Sequence, residues 1–345
     1  MFKARAALLM LLSVLCGCTA ADNFTDRMTS MNVSFDEARN NMLLLNILRA
    51  GQSHPLTFLA VTNVSAAQGA GMQISAPVGS LKSNWEALSW GISNNNVSAN
   101  FSGTLGVTPL ESKEFYQGLL QPLSLNAVQF LLTQGYPRQV LYQLLFESVR
   151  LRSGTREKVL WNDPTDENYA HFQRLILHLI ARGATLEAVV EGQKSHVRLC
   201  IDRSLVNDTT PSQGPVCGQP DSTGKLTTQD EELGISEMEV VIRSTYGVFR
   251  YLGRLTNPEY GDRVQLVGHR AGGIVFSDDR RLLPLVVGVT LRPCVAKVMF
   301  LGTDYCLPAK DAEQGPLIMQ LLAQLVALNV SVRDLPAVPT VRLTN

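Results

Sequence analysis

The chain starts with two positive charges, Lys3 and Arg5, followed by an apolar run from Ala6 to Leu15. A helix needs about 20 apolar residues to cross a bilayer, so this run is too short for a standard span. A short apolar run behind a positive start has the layout of a secretory signal. Such a leader constrains everything after it: the body must fold outside the cytoplasm, where thiols are oxidised. The 345 residues hold six cysteines. Cys16 and Cys18 close the leader, and Cys200, Cys217, Cys294 and Cys306 lie in the body. Those four allow three connectivities. The local one, Cys200–Cys217 with Cys294–Cys306, is the expected pairing, and each loop it closes is worth about 3 kcal/mol. None of these cysteines sits at the C-x₂-C spacing of a metal site, so no metal is expected.

The leader ends in Leu15-Cys16-Gly17-Cys18. This tetrapeptide resembles a bacterial lipobox: an aliphatic residue, a small residue, Gly, and then the cysteine that receives the lipid. The resemblance implies acylation (palmitate or a similar chain) at Cys18, with residues 1–17 as the signal peptide and 18–33 as a lipidated tether. The other reading of the same residues is a soluble periplasmic protein cleaved after Ala20 or Ala21. Thr19 is not the Asp that holds such lipoproteins in the inner membrane, so the implied address is the outer membrane, on its periplasmic face. Acyl chains anchor at about 0.8 kcal/mol per buried CH₂. No second segment reads as a spanning helix. Residues 282–291 are interrupted by Pro284, and 317–330 is short and carries Gln320 and Gln324.

Composition narrows the partners. Thirty basic residues balance thirty acidic ones, whereas nucleic-acid binders carry a basic excess. No nucleic-acid partner is expected. Hydrophobic residues make up 45 %, enough for a packed core.

Hydrophobic periodicity predicts an α+β fold: an N-terminal helix and β-ribbon, a central helical region, and C-terminal antiparallel strands with a closing amphipathic helix. Ser34-Phe35-Asp36-Glu37 has the form of a capping box opening a helix to about Ala50. Residues 64–108 are rich in Ser, Gly, Ala and Asn and poor in charge. Val64, Ala66, Gln68, Ala70, Met72, Ile74, Ala76 and Val78 share one face of a period-two pattern. Val97, Ala99, Phe101, Gly103, Leu105 and Val107 share another, with Ser98, Asn100, Ser102, Thr104 and Thr108 opposite. From Glu111 to about Gly192 the pattern reads as helical, including a helix from Arg138 to Arg152 and one from Asp166 to Arg182. A strand is expected over 195–202. The Pro- and Gly-rich stretch 207–234 reads as a loop or linker between a helical domain, 34–206, and an α+β region, 235–345. In that last region strands are expected over 239–242, 285–291, 295–301 and 303–307. A hairpin is expected over 264–276, turning at Gly272-Gly273, and a Leu-rich helix closes the chain.

Several stretches also resemble an uncharacterised family of proteobacterial outer-membrane lipoproteins: residues 41–50 (NMLLLNILRA), then Pro55-Leu56 and Phe58-Leu59, Ile242-Arg243-Ser244, Gly247 and Tyr251-Leu252-Gly253. The resemblance carries no catalytic residues with it. Val298-Met299-Phe300-Leu301 is more apolar than that family's pattern, and the Cys294/Cys306 pair is an addition to it.

No motif carries coherent catalysis. Gly268-His269-Arg270-Ala271-Gly272-Gly273 follows an apolar strand like a nucleophile elbow, but Arg270 stands at the nucleophile position and a guanidinium cannot serve there. The five histidines, His54, His171, His178, His196 and His269, are scattered. Asp278-Asp279 beside Arg280-Arg281 and the run Asp230-Glu231-Glu232 read as solvated charge. Arg150, Arg152, Arg156 and Lys158 form a modest basic patch at a helix end. No phosphate loop is present, and neither a catalytic residue nor a cofactor is expected.

The expected role is therefore a lipid-anchored structural, assembly or protein-binding component of the periplasm, with a protein partner in the envelope. Two alternatives stand beside it. One is a periplasmic envelope-processing enzyme whose groups, such as Arg243, Glu239 and His269, converge only in the fold. The other is a homo-oligomeric outer-membrane pore to which each chain donates the hairpin 64–108, long enough to cross a bilayer as β-structure.

Overall fold

The computed structural model of the chain describes residues 29–30, 32–68, 101–191, 194–202, 204, 214–219, 225–227, 237–261, 264, 266–270, 273–277, 282–288, 292–309 and 314–330. The architecture is α+β with antiparallel sheets, as the periodicity predicts. The described residues fall into two compact units. One runs up to Leu56 and resumes over Lys113–Val330; the other lies within Thr57–Ser112.

Helix α1 covers residues 32–51 and buries Leu43, Leu44, Ile47 and Leu48. It does not start at a capping box. Residues 29–30 are already helical, and the Ser34 hydroxyl donates to the Ser30 carbonyl at 2.9 Å. Ser34 thus bonds back one turn, as serine does in a helix interior, and Asp36 pairs with Arg39.

The smaller unit is a two-stranded ribbon, β1 (Leu59–Gln68) and β2 (Phe101–Pro109). Most of the predicted alternation, residues 69–100 with Trp85 and Trp90, lies outside the described residues.

In the larger unit, α2 (Lys113–Leu120), α3 (Leu125–Thr133) and α4 (Arg138–Leu145) follow in sequence. Ser124 caps α3 by accepting from the Ala127 amide at 3.2 Å, and Gly135 turns the chain at φ +86°. The predicted helix through Arg152 is wrong beyond Leu145. The chain becomes β3 (Phe146–Ser153), turns at Gly154 with φ +57°, and returns as β4 (Arg156–Trp161). The reason is visible in Val149-Arg150-Leu151-Arg152, which alternates with period two and pairs across to Leu160, Val159, Lys158 and Glu157. Helix α5 (Tyr169–Ala181) is followed by β5 (Ala184–Glu191), a third strand inside the stretch read as helical, and then by the expected β6 (Lys194–Ile201). Gly183, at φ +78°, separates α5 from β5.

Within 207–234, β7 (Val216–Cys217) pairs with β6, and β8 (Lys225–Thr227) pairs with β9 (Glu237–Ile242). The resulting sheets have the orders β5-β6-β7 and β4-β3-β9-β8. Helix α6 (Thr245–Leu255) is capped by Ser244, whose hydroxyl accepts from the Gly247 amide at 3.0 Å. A short α7 (Pro258–Gly261) follows.

β10 (Leu266–Arg270) and β11 (Gly273–Ser277) form the predicted hairpin, closed by Arg270 opposite Gly273. Of the strand expected over 285–291, β12 covers Val286–Val287 and Gly288 takes φ +96°; residues 289–291 lie outside the described residues. β13 (Cys294–Phe300) and β14 (Thr303–Pro308) form a hairpin through Leu301 and Gly302, both at positive φ. Helix α8 (Gly315–Ala327) buries Ile318, Met319, Leu321, Leu322, Leu325 and Val326.

Candidate functional site

The densest buried polar group forms where α4 ends. The last carbonyls of a helix lack intrahelical partners, and they carry the negative end of its dipole. Arg243, only 5 % exposed, fills that need. Its Nη1 donates to the carbonyls of Gln143 at 3.2 Å and Leu144 at 3.0 Å, its Nη2 donates to the Asn162 carbonyl, and its amide donates to the Leu145 carbonyl at 2.7 Å. Asn162 completes the cap, with Nδ2 donating to the Gln143 carbonyl at 2.7 Å and the Phe146 carbonyl at 2.8 Å. One turn back, Gln143 and Gln173 exchange reciprocal amide bonds of 2.6 and 2.9 Å.

The guanidinium lies 4.0 Å from the centroid of the Tyr251 ring, a cation–π contact that burial strengthens. Tyr251 and Tyr169 join hydroxyl to hydroxyl at 2.9 Å. Burial raises the Tyr251 phenol to about 12 even though Arg243 opposes the rise. Burial, with Tyr251 beside it, holds Tyr169 well above the ordinary phenol value. Burial also lowers Arg243, while Tyr251 and the carboxylate of Glu147 favour its charge. At neutral pH the phenols are neutral, so neither can act as a base. Perturbed ionisation can mark an active site, but here the donors named are spent on other parts of the chain, while the buried Asn162 Oδ1 has no hydrogen-bond partner among the described residues.

A cleft of about 410 Å³ lies nearby, lined by Gly51, Gln52, Thr165, Arg254, Tyr260 and Tyr305. Its charged group is already engaged: Arg254 pairs with Asp163. Burial works to raise the Asp163 carboxyl, but the Thr165 amide and hydroxyl, at 3.0 and 2.8 Å, together with Arg254, outweigh it and hold the group below the usual carboxylate value. The cleft therefore offers aromatic and amide surface but no nucleophile beside a base.

Of the three groups named for a converging site, each has its own place among the described residues. Arg243 is in the core. Glu239 is half-buried on β9, 3.0 Å from Arg150. His269 stands opposite Ile274 in the β10–β11 hairpin, so the elbow-like motif is a hairpin rather than a strand-to-helix turn. The basic patch lies on the β3–β4 hairpin, not at a helix end. Arg150 pairs with Glu157 at 2.9 Å as well as with Glu239, and Arg152 pairs with Glu157 at 3.6 Å.

Both local disulfides are formed, Cys200–Cys217 and Cys294–Cys306. Among the described residues, Glu187, Cys200 and Cys217 bring three candidate metal-ligand atoms within 4.8 Å of one another. The two sulfurs are bonded to each other, and Glu187 pairs with Arg198 at 3.0 Å. The donor set is thus occupied by the disulfide and an ion pair. The histidines stay apart: His54 meets Phe300 edge-on at 5.7 Å, and His171 is exposed on α5. Cys18, Asp230, Glu231, Glu232, Asp278, Asp279, Arg280 and Arg281 lie outside the described residues.

Sequence reasoning singled out Ser244, Gly247 and Tyr251 only as a resemblance, and Arg243 also as a candidate for a converging enzymatic site. It missed Asn162, Tyr169, Gln143 and Gln173, which belong to the same cluster. Arg243 reaches Asn162 across 81 positions and Leu144 across 99, and no local pattern encodes such contacts.

No protein-family model, curated protein or solved structure matches the chain. Among the described residues, no helix is long and apolar enough to cross a membrane.

Proposed function

We propose that this protein is a lipoprotein anchored through Cys18 to the periplasmic face of the outer membrane, where it serves as a structural, assembly or protein-binding component. The observation that carries this reading is the leader, Lys3 and Arg5 followed by Ala6–Leu15, ending in Leu15-Cys16-Gly17-Cys18. Two closed disulfides agree with a life in an oxidising compartment. A non-enzymatic role agrees with a buried polar cluster that is spent on capping a helix. Contact points for a partner are available on the outside. Trp161 is 47 % exposed on the β3–β4 hairpin, and Met299 and Leu301 are about 70 % exposed at the β13–β14 tip. Leu301 holds φ +50°, a conformation unusual for a bulky residue and more common at binding elements.

The test is metabolic labelling with palmitate and mass analysis of the mature N-terminus, for the natural chain and for Cys18→Ser. The natural chain is expected to carry label and to begin at Cys18. Cys18→Ser is expected to carry none. Label on the serine variant, or a natural chain that retains Met1, overturns the reading.

A further inference from the structure

The pairing of β3 with β9 carries one irregularity, and it changes where a charge points. Along a regular strand, consecutive side chains face opposite sides of the sheet. β3 breaks that rule at its start. Phe146 stands opposite Ile242 and Ser148 opposite Val241, so Glu147 is an extra residue with no opposite number on β9. A bulge of this kind re-aims a side chain. Glu147 and Ser148, neighbours in sequence, both line one hollow on the sheet, while Phe146 is buried in the core. The helix cap around Arg243 holds the bulge in place. Asn162 donates its amide to the Glu147 carbonyl at 2.9 Å and its Nδ2 to the Phe146 carbonyl at 2.8 Å.

The register builds the rest of the hollow. Trp161 on β4 and Val241 on β9 flank Ser148 from either side. Both are large and open to solvent, 47 % and 42 % exposed. Ser148 between them is small, and a depression of about 310 Å³ is left there. In the next row Arg150 lies between Val159 and Glu239, and all three border the hollow. The opposite face of these strands is core, with Val149, Leu160 and Val240 buried.

Three observations point to what the hollow takes. Glu147 is exposed, and among the described residues its carboxylate makes no ion pair or hydrogen bond. Ser148 is only 3 % exposed, yet among the described residues its hydroxyl has no hydrogen-bond partner. A buried polar group left in that state is costly, and this one borders a space from which a ligand can reach it. The charges are unbalanced as well. The lining holds Glu147, Glu239 and Arg150. Arg150 lies 3.0 Å from Glu239 and 2.9 Å from Glu157, so its charge is answered within the sheet and the Glu147 carboxylate is left over. An aromatic side chain, a spare carboxylate and a spare hydroxyl together suit a cation. A planar guanidinium suits them better than a compact ammonium, because it stacks on an aromatic face while its N–H groups fork to acceptors in the same plane. The volume is at the low end of ligand pockets, about 300–1,000 Å³, and fits a single side chain.

We propose that this hollow is a socket for an arginine side chain presented by a partner protein, with the guanidinium stacked on Trp161 and donating to Glu147 and Ser148. This rests on the protein-binding part of the reading above and names what the partner presents. Acylation of Cys18 and occupancy of the hollow are read in separate experiments, so either can fail while the other stands.

The test is calorimetric titration of the purified full chain with the peptide acetyl-Gly-Arg-Gly-amide, and with the same peptide carrying citrulline, a neutral and nearly isosteric side chain. The arginine peptide is expected to bind with a millimolar Kd and the citrulline peptide about tenfold more weakly or worse. Glu147→Gln should weaken the arginine peptide about tenfold while both disulfides form and the melting temperature holds. Glu167→Gln, an exposed carboxylate outside the hollow, should bind as the natural chain does. The citrulline comparison uses the natural chain alone and decides the matter even if a variant fails to fold. Equal binding of the two peptides overturns the proposal, as does a Glu147→Gln chain that binds like the natural one. Silence toward both peptides overturns it too, and a response to N-acetylglucosamine in their place would make the hollow a sugar site instead.

Discussion

Among the described residues Arg243 is a buried cation with no ion pair, an arrangement that is costly unless other groups supply the compensation. Three backbone carbonyls and the face of Tyr251 supply it. Arg243→Met keeps the approximate volume but leaves those carbonyls without a donor, at about 1–3 kcal/mol for each unsatisfied group. Removing the charge also relieves its desolvation, which offsets part of that loss. The expected net loss is about 3 kcal/mol in urea unfolding. Tyr251→Phe keeps the ring under the guanidinium and loses only the bond to Tyr169, so it should cost about 1 kcal/mol. Equal losses for the two variants would mean that the hydroxyl pair with Tyr169 holds this part of the core as firmly as the carbonyl cap does.

Asp163 makes a prediction about acid. Its carboxyl lies below the ordinary value in the folded chain because the Thr165 and Arg254 hydrogen bonds outweigh burial. A group depressed on folding stabilises fully above its unfolded value, about 3.9 for Asp, and loses that contribution as pH falls through the folded value. Asp163→Asn removes the contribution altogether. At neutral pH the variant should unfold at lower denaturant than the natural chain. The gap should narrow once pH falls below about 4. A gap that stays constant from about pH 7 to about pH 2.5 would show that Asp163 acts through packing rather than charge.

At the scale of elements, α1 and α6 touch backbone to backbone. A Cβ added to Gly253 would lie 2.5 Å from the Ile47 carbonyl oxygen and closer still to the Gly51 amide, and one on Gly51 would lie 2.5 Å from the Gly253 oxygen. The obstacle is main chain, which no rotamer change relieves. Gly253→Ala must push the helices apart, at an expected cost of about 3 kcal/mol, read as a lowered melting temperature. An unchanged melting temperature would mean that the crossing is looser than this geometry. The same crossing explains why the resemblance around Tyr251-Leu252-Gly253 accompanies Gly247 and the helix ending at Gly51: these residues meet in one packing unit. Gly247 leaves room for the Arg243 stem, to which an added Cβ would come within 3.3 Å.

Elements were legible in the sequence where one signal acted alone. The hairpin expected over 264–276 forms as β10 and β11, and the Leu-rich helix expected at the close of the chain forms as α8. Reading failed where a strand follows a helix with no break in hydrophobicity. Residues 141–149 are apolar enough to continue α4, and only the alternation from Val149 onward marks β3, which β4 and β9 stabilise from both sides. β5 was lost in the same way, since its pairing with β6 is a tertiary fact. The Arg243 cluster was legible only as a list of residues. Its function as a helix cap depends on contacts across 81 to 100 positions, which one sequence cannot encode locally.

At the scale of the molecule, the two units place different demands on one chain. The larger holds the core, both disulfides and the Arg243 cap; the smaller is a ribbon with little to bury by itself. Each unit holds its own contacts, so the larger unit should not need the ribbon to fold. The register makes a clean excision available. Val61 stands opposite Val107, so residues 62–106 can be replaced by Asn-Gly, the sequence favoured in a two-residue hairpin turn. Leu59 and Pro109 keep their pairing in this shortened chain. It is expected to form both disulfides and to melt within about 2 °C of the natural chain, since a change of about 1 kcal/mol moves a body of this size by about 2–4 °C. A melting temperature lowered by about 10 °C or more, equivalent to about 3 kcal/mol or above, would instead make the ribbon a part that its own molecule needs for stability.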